Sequence, residues 1–218
     1  FLFNSALVES GRWQPWNQVF DVVMKQIIHP VPMFVKKIES GIPQKLIPVG
    51  FDLEIGDWVS PNGIGVVNDI LFTLSQNVAD KNNYEAKLEI TFSNKGDGIQ
   101  ETVISSRCGS LLKFPHQAPD SGYSNSMAIE QGRKNNVSFG QKYSTDRAYF
   151  IRVRTVLDEK GNVISAKYGR IGDSIMLSGI AKEDVYLRFV YYLNPNGTRN
   201  LEYSGENLFK DDKRQYAP

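Results

Sequence analysis

Three acids stand close together in Asp52-Leu-Glu54-Ile-Gly-Asp57-Trp58. On an extended strand, residues 52 and 54 share a face at roughly 6.5–7 Å between α-carbons. A bulge at Gly56 would bring Asp57 beside them. Carboxyl groups about 5 Å apart act as nucleophile and acid in glycoside hydrolysis with retention. The same spacing also suits an ordinary strand that turns Asp52 and Glu54 toward water.

A second group is aromatic and cationic. Arg152 and Arg154 are two apart in one apolar alternation, Tyr186, Arg188 and Tyr192 share parity in another, and Lys167-Tyr168 lies between them. Where such faces adjoin, rings stack on the apolar face of a sugar while guanidinium groups donate paired hydrogen bonds to hydroxyls, uronates or sulfates. Trp58 is a further platform, as are Trp13 and Trp16. Tyrosine and arginine are also common cross-strand partners on any open β face, and tryptophans often fill cores.

Strands must position both groups. In YEAKLEITF the residues Tyr84, Ala86, Leu88, Ile90 and Phe92 alternate with charged or hydroxylated ones, the period of a half-buried strand. Val185, Leu187, Phe189, Tyr191 and Leu193 repeat the pattern. Val49–Ile55, Ile70–Leu74, Ile99–Ser105, Tyr149–Leu157 and Val163–Ile171 supply further strands, and a short one is expected at Met33–Ile38. Glycine-rich Asn94–Gly98 and Asp158–Asn162 read as turns. SQNVADKNN reads as a loop, and residues 115–147 as the least regular stretch. Pro15–Ile28 carries apolar residues at spacings of three and four with prolines at both ends, which predicts a short N-terminal helix. About eight strands without alternating helices predict an all-β chain, an antiparallel β-sandwich of jelly-roll or Greek-key type. It is expected as a single domain over 1–218, with a helical and irregular segment at 1–48 and a frayed tail at 206–218.

Composition removes other classes. Twenty-five basic and 24 acidic residues leave a formal charge of +1, so no global field attracts nucleic acid, and no nucleic-acid partner is expected. Uncharged stretches reach about ten residues, half of the ~20 that a helical span needs, so no transmembrane segment is expected. One cysteine, Cys108, excludes an internal disulfide framework, and with His29 and His116 it makes a poor zinc set. No metal site and no cofactor are expected. Walker, GxGxxG, HExxH and GxSxG motifs are absent. The sequons at Asn136 and Asn196 are no more frequent than chance supplies.

Two resemblances add to this reading. The spacing of Asp52, Glu54 and Asp57 resembles the acid-x-acid-x-x-acid strand of laminarinase-like β-sandwich glycoside hydrolases. That family has glutamates outside and aspartate between, and here the types are transposed. The runs YFIRVRTVLDEKGNVISAKYGRI and LRFVYYLNPNGTRNLEYSGENLF are similar in style to uncharacterised exported proteins of polysaccharide-degrading and gut bacteria. That resemblance implies a secreted or cell-surface bacterial sandwich in a glycan-rich setting. The expected function is a non-catalytic carbohydrate-binding or adhesion module using Trp58, Arg152, Arg154, Tyr168, Tyr186, Arg188 and Tyr192. The alternatives are a glycoside hydrolase using Asp52, Glu54 and Asp57, and a structural jelly-roll assembly protein.

Overall fold

The computed structural model describes residues 8–9, 12–13, 25–104, 112–182 and 184–217. Among them run fourteen strands: β1 (Val8–Glu9), β2 (Arg12–Trp13), β3 (Val31–Gly41), β4 (Val49–Asp52), β5 (Asp57–Trp58), β6 (Ile70–Asp80), β7 (Asn83–Thr91), β8 (Gly98–Val103), β9 (Ser126–Lys134), β10 (Val137–Gly140), β11 (Arg147–Leu157), β12 (Val163–Ser178), β13 (Tyr186–Asn194) and β14 (Tyr203–Asn207). One six-stranded sheet has the order β10-β9-β7-β6-β4-β5 and the other β14-β3-β13-β12-β11-β8; β1 and β2 pair by themselves. All pairings are antiparallel except β14 with β3. The expected all-β class and packed sheets are therefore present. Of the helix expected over Pro15–Ile28, the part before residue 25 lies outside the described residues, and 25–28 are not helical. Trp16 and Cys108 also lie outside them.

The alternations in β7 and β13 place Leu88, Ile90, Leu187, Phe189, Tyr191 and Leu193 in one core that both sheets share. Phe189 of one sheet meets Phe51 and Phe72 of the other at 6.3 and 5.9 Å between ring centroids. Burial of such rings is the main favourable term holding sheet to sheet.

Three expectations about elements are corrected. SQNVADKNN is not a loop: β6 continues to Asp80 and returns through the two residues Lys81-Asn82. The polar stretch around Arg133–Gly140 is a hairpin, turned by Asn135 and Asn136, both at positive φ (49° and 65°). Asparagine tolerates that conformation, which the tight hairpin twist requires. The tail expected to fray is docked instead. Tyr192 Oη donates to the Ala217 carbonyl at 2.8 Å, the Lys37 amide donates to Tyr216 Oη at 3.0 Å, and Phe209 packs on Phe34 at 5.1 Å.

The second sheet consequently has cover on both faces. Its inner face meets the first sheet. Over its outer face, Leu112, Phe114 and Ala118 pack on Ala148, Phe150 and Tyr168, while Tyr203 and Tyr216 pack near Met33, Val35 and Tyr192.

Candidate functional site

The acidic motif is a turn and not a strand face. β4 stops at Asp52, the chain turns through Leu53–Gly56, and Asp57 returns opposite Asp52. The reason is local chemistry. Asp52 Oδ1 accepts from the amides of Glu54 (3.0 Å) and Ile55 (3.2 Å), a side-chain mimic of a backbone turn. The Gly56 amide donates to the Asp52 carbonyl at 2.7 Å, with Gly56 at φ +71°, where a side chain is disfavoured. Asp52 Oδ2 accepts from Val66 and Val67 amides at 3.0 and 2.9 Å, so the 59–69 loop folds over β4 and buries it. Asp57 binds the Ile64 amide at 3.0 Å. The expected shared wet face of Asp52 and Glu54 is thus overturned.

Arg154 closes this turn. Its Nε and Nη2 grip the two carboxylate oxygens of Asp69 at 2.8 and 3.0 Å, Nη2 also reaches Asp52 at 2.9 Å, and Nη1 binds Glu54. Lys167 Nζ takes the other oxygen of Glu54. Arg154 reaches there because β11 bulges between Val153 and Val156, with Arg154 at φ +54°. Asp97 holds the bulge by accepting from the Arg154 amide (2.9 Å) and the Thr155 amide (2.8 Å). A bulge re-aims its side chains, so Arg152 and Arg154 do not share a face as expected.

Three carboxylates face two cations in this cluster, and each carboxylate meets at least one of them. Burial pushes the Asp52 carboxyl up, but the amides of Val67, Val66, Ile55 and Glu54 outweigh it and hold the group below its ordinary value. Burial dominates at Asp69 and raises it, against the Arg154 hydrogen bond. The Asp69 hydrogen bond is the foremost reason that Arg154 is held more firmly protonated than usual, against the cost of its own burial. A general acid and a nucleophile need carboxyls free to exchange protons and reach substrate. Here Asp52 and Glu54 are engaged by four amides, Arg154 and Lys167.

Only part of the expected Tyr/Arg group lies on the outer face of the second sheet: Arg152, Tyr168, Tyr186, Arg188 and Tyr192, without Arg154 and Lys167. Register pairs Arg152 with Tyr168, and Arg170 with Tyr192. Its members differ in access. Trp58 is in the core, edge-on to Phe51 at 5.3 Å and to Phe72 at 5.8 Å, so it offers no surface platform. Tyr168 is buried under the Leu112–Ala118 segment. Arg152 lies over Tyr123 at 4.6 Å and donates to the carbonyls of Gly96 and Asp120. Tyr186, 45% exposed, and Arg188 remain open on β13.

No family model, curated protein or solved structure matches this chain.

A cleft accompanies these outer residues. β12 shifts register between Gly172 and Met176, and Asp173 sits there at φ +60°. Two hollows adjoin at this irregularity and share Gly172, Asp173 and Val190. One, about 300 Å³, is bordered by Lys37, Tyr143, Met176 and Arg188. The other, about 230 Å³, is bordered by Lys113, Phe114, Arg170, Tyr192 and Tyr216. Four cations and one acid border the pair. Burial pushes the Asp173 carboxyl up, partly countered by Lys113.

Arg170, Lys113 and Asp173 were not singled out from the sequence. Arg170 has the parity of Tyr168 and lies in the same strand, a usable signal. The bulge that creates the hollows leaves no such mark. Among the described residues, no group of three or more His, Cys, Asp and Glu side chains is placed to hold a metal ion, and no helix is long and apolar enough to cross a membrane.

Proposed function

We propose that this chain is a non-catalytic carbohydrate-binding or adhesion module that takes a glycan along the β12–β13 outer face. The observation that carries the reading is the pair of adjoining hollows at the Gly172–Met176 irregularity, bordered by rings and cations. Clefts with apolar walls and a few placed polar groups are the usual form of small-ligand sites. Tyr186, two residues from Arg188 on β13, extends the surface beyond the larger hollow. A secreted or cell-surface bacterial location, a jelly-roll or Greek-key form of sandwich, and the absence of a nucleic-acid partner belong to the same proposal. The test is a glycan array with acidic and neutral members, followed by the double variant Tyr186→Ala/Arg188→Ala. Retention on at least one glycan class, falling about ten-fold in the variant, supports the reading. An array without retention overturns it.

One observation favours a second reading, structural assembly. Leu46 and Ile64 are 74% and 77% exposed on two loops joined by the Gln44–Asn62 hydrogen bond (3.0 Å), with Ile47 and Val66 also open. Exposed apolar residues gathered on neighbouring loops mark association surfaces. Under this reading, light scattering shows an oligomer that Ile64→Ser/Val66→Ser disperses; a monomer at high concentration removes it. The hydrolase alternative gains nothing from the Asp52–Asp57 turn, whose carboxylates hold the fold.

A further inference from the structure

Arg170 is an arginine without an acceptor. It is 3% exposed, and its Nε and Nη2 are buried with no hydrogen-bond partner. Two rings hold the guanidinium instead: Tyr192 lies at 4.0 Å from its central carbon and Phe114 at 4.7 Å. Cation–π contact offsets part of the desolvation, but it provides no oxygen for the N–H groups. The contrast with Arg154, which meets three carboxylates, shows what this fold does with an arginine used only for structure. Arg170 borders the smaller hollow beside Lys113, Asp173 and Tyr216.

We infer that this hollow takes a uronic-acid residue of a glycan, with its carboxylate on Arg170. The inference rests on the glycan reading above and names the class of sugar. A planar guanidinium fixed between rings favours a planar carboxylate, which it can meet with parallel hydrogen bonds. Asp173 disfavours a phosphate monoester, whose second negative charge would meet a carboxylate at the rim. A sugar hydroxyl satisfies Asp173 by donating to it, and another accepts from Lys113. The hollow, about 230 Å³, is of the order of a single pyranose.

The experiment uses the full chain with oligogalacturonate and oligoglucuronate, each beside its carboxyl-reduced neutral counterpart, by calorimetry. The expected result is at least one acidic oligomer bound about ten-fold or more tightly than its neutral counterpart. That preference disappears in Arg170→Met with the circular dichroism unchanged, whereas Asp173→Ala, which removes a negative charge and an acceptor for a hydroxyl that both oligomers carry, does not shrink it. Because Arg170 is buried, a measurement on the unaltered protein stands beside the variant: the Arg170 Nε–H resonance shifts on adding the acidic oligomer and not on adding the neutral one. Equal binding of acidic and neutral oligomers, with Arg170 unmoved, overturns the uronate inference and leaves the glycan reading standing. No binding of any oligomer, together with a blank array, overturns both.

Discussion

Two arginines sixteen positions apart, on neighbouring strands, meet opposite fates. Arg154 is turned by a bulge toward Asp52, Glu54 and Asp69, and all three of its nitrogens are engaged. Arg170 stays in register on the outer face, between Phe114 and Tyr192, with buried donors that meet nothing. The first arrangement is closed: each charge has a counter-charge, and the cluster ties β4, the 59–69 loop and β11 into one unit. The second is open beside a cleft. The difference shows how a strongly polar cluster and a functional surface are told apart by asking which donors already have acceptors.

Breaking the closed cluster carries the largest expected effect. Arg154→Met leaves Asp52 and Asp69 buried without their cation and costs about 3–5 kcal/mol in urea unfolding. Asp97→Ala follows, at about 2–3 kcal/mol, because it strips the acceptor from the amides of Arg154 and Thr155 in the bulge. Gly56→Ala costs about 1–2 kcal/mol in the same assay, since the turn needs φ +71° there and a β-carbon would crowd the Lys36 side chain. A loss below 1 kcal/mol in Arg154→Met would sink the claim that this cluster is structural.

A pH series sharpens the comparison from another side. Asp52 is held below its ordinary value when folded, so its contribution is complete above the unfolded value of about 4 and fades as pH falls through the lowered one. The stability gap between the parent chain and Asp52→Asn should therefore be constant near neutrality and narrow below about pH 4. A gap that widens in acid would reverse the sign.

The sequence carried much of this fold wherever a strand has one dry face. β7 and β13 are legible because every second residue is apolar, and the core they share follows from that period. β9 and β10 are not, because β10 is exposed throughout and its hairpin rests on Asn135-Asn136 rather than on a hydrophobic pattern. The far end of β6 was missed for the same reason. The site is less legible than the fold. Alternation placed Arg152 and Arg154 together, whereas acids 85–102 residues distant and a bulge held by Asp97 send Arg154 elsewhere. Likewise Tyr192 has the parity of an exposed residue, yet a tail that reads as polar covers it through Tyr216 and Ala217. Long-range partners decide such cases, and spacing in one strand holds no information about them.

The most direct test of the contrast between the two arginines is equilibrium urea unfolding of Arg170→Met beside Arg154→Met and the parent chain. Replacing a buried charge that lacks an acceptor by an apolar stem of similar length removes unmet donors along with the cation–π contact. The account predicts Arg170→Met within about 1 kcal/mol of the parent or above it, while Arg154→Met falls by at least 3 kcal/mol. An Arg170→Met loss as large as that of Arg154→Met would show that Arg170, too, is spent on the fold, and would contradict the account.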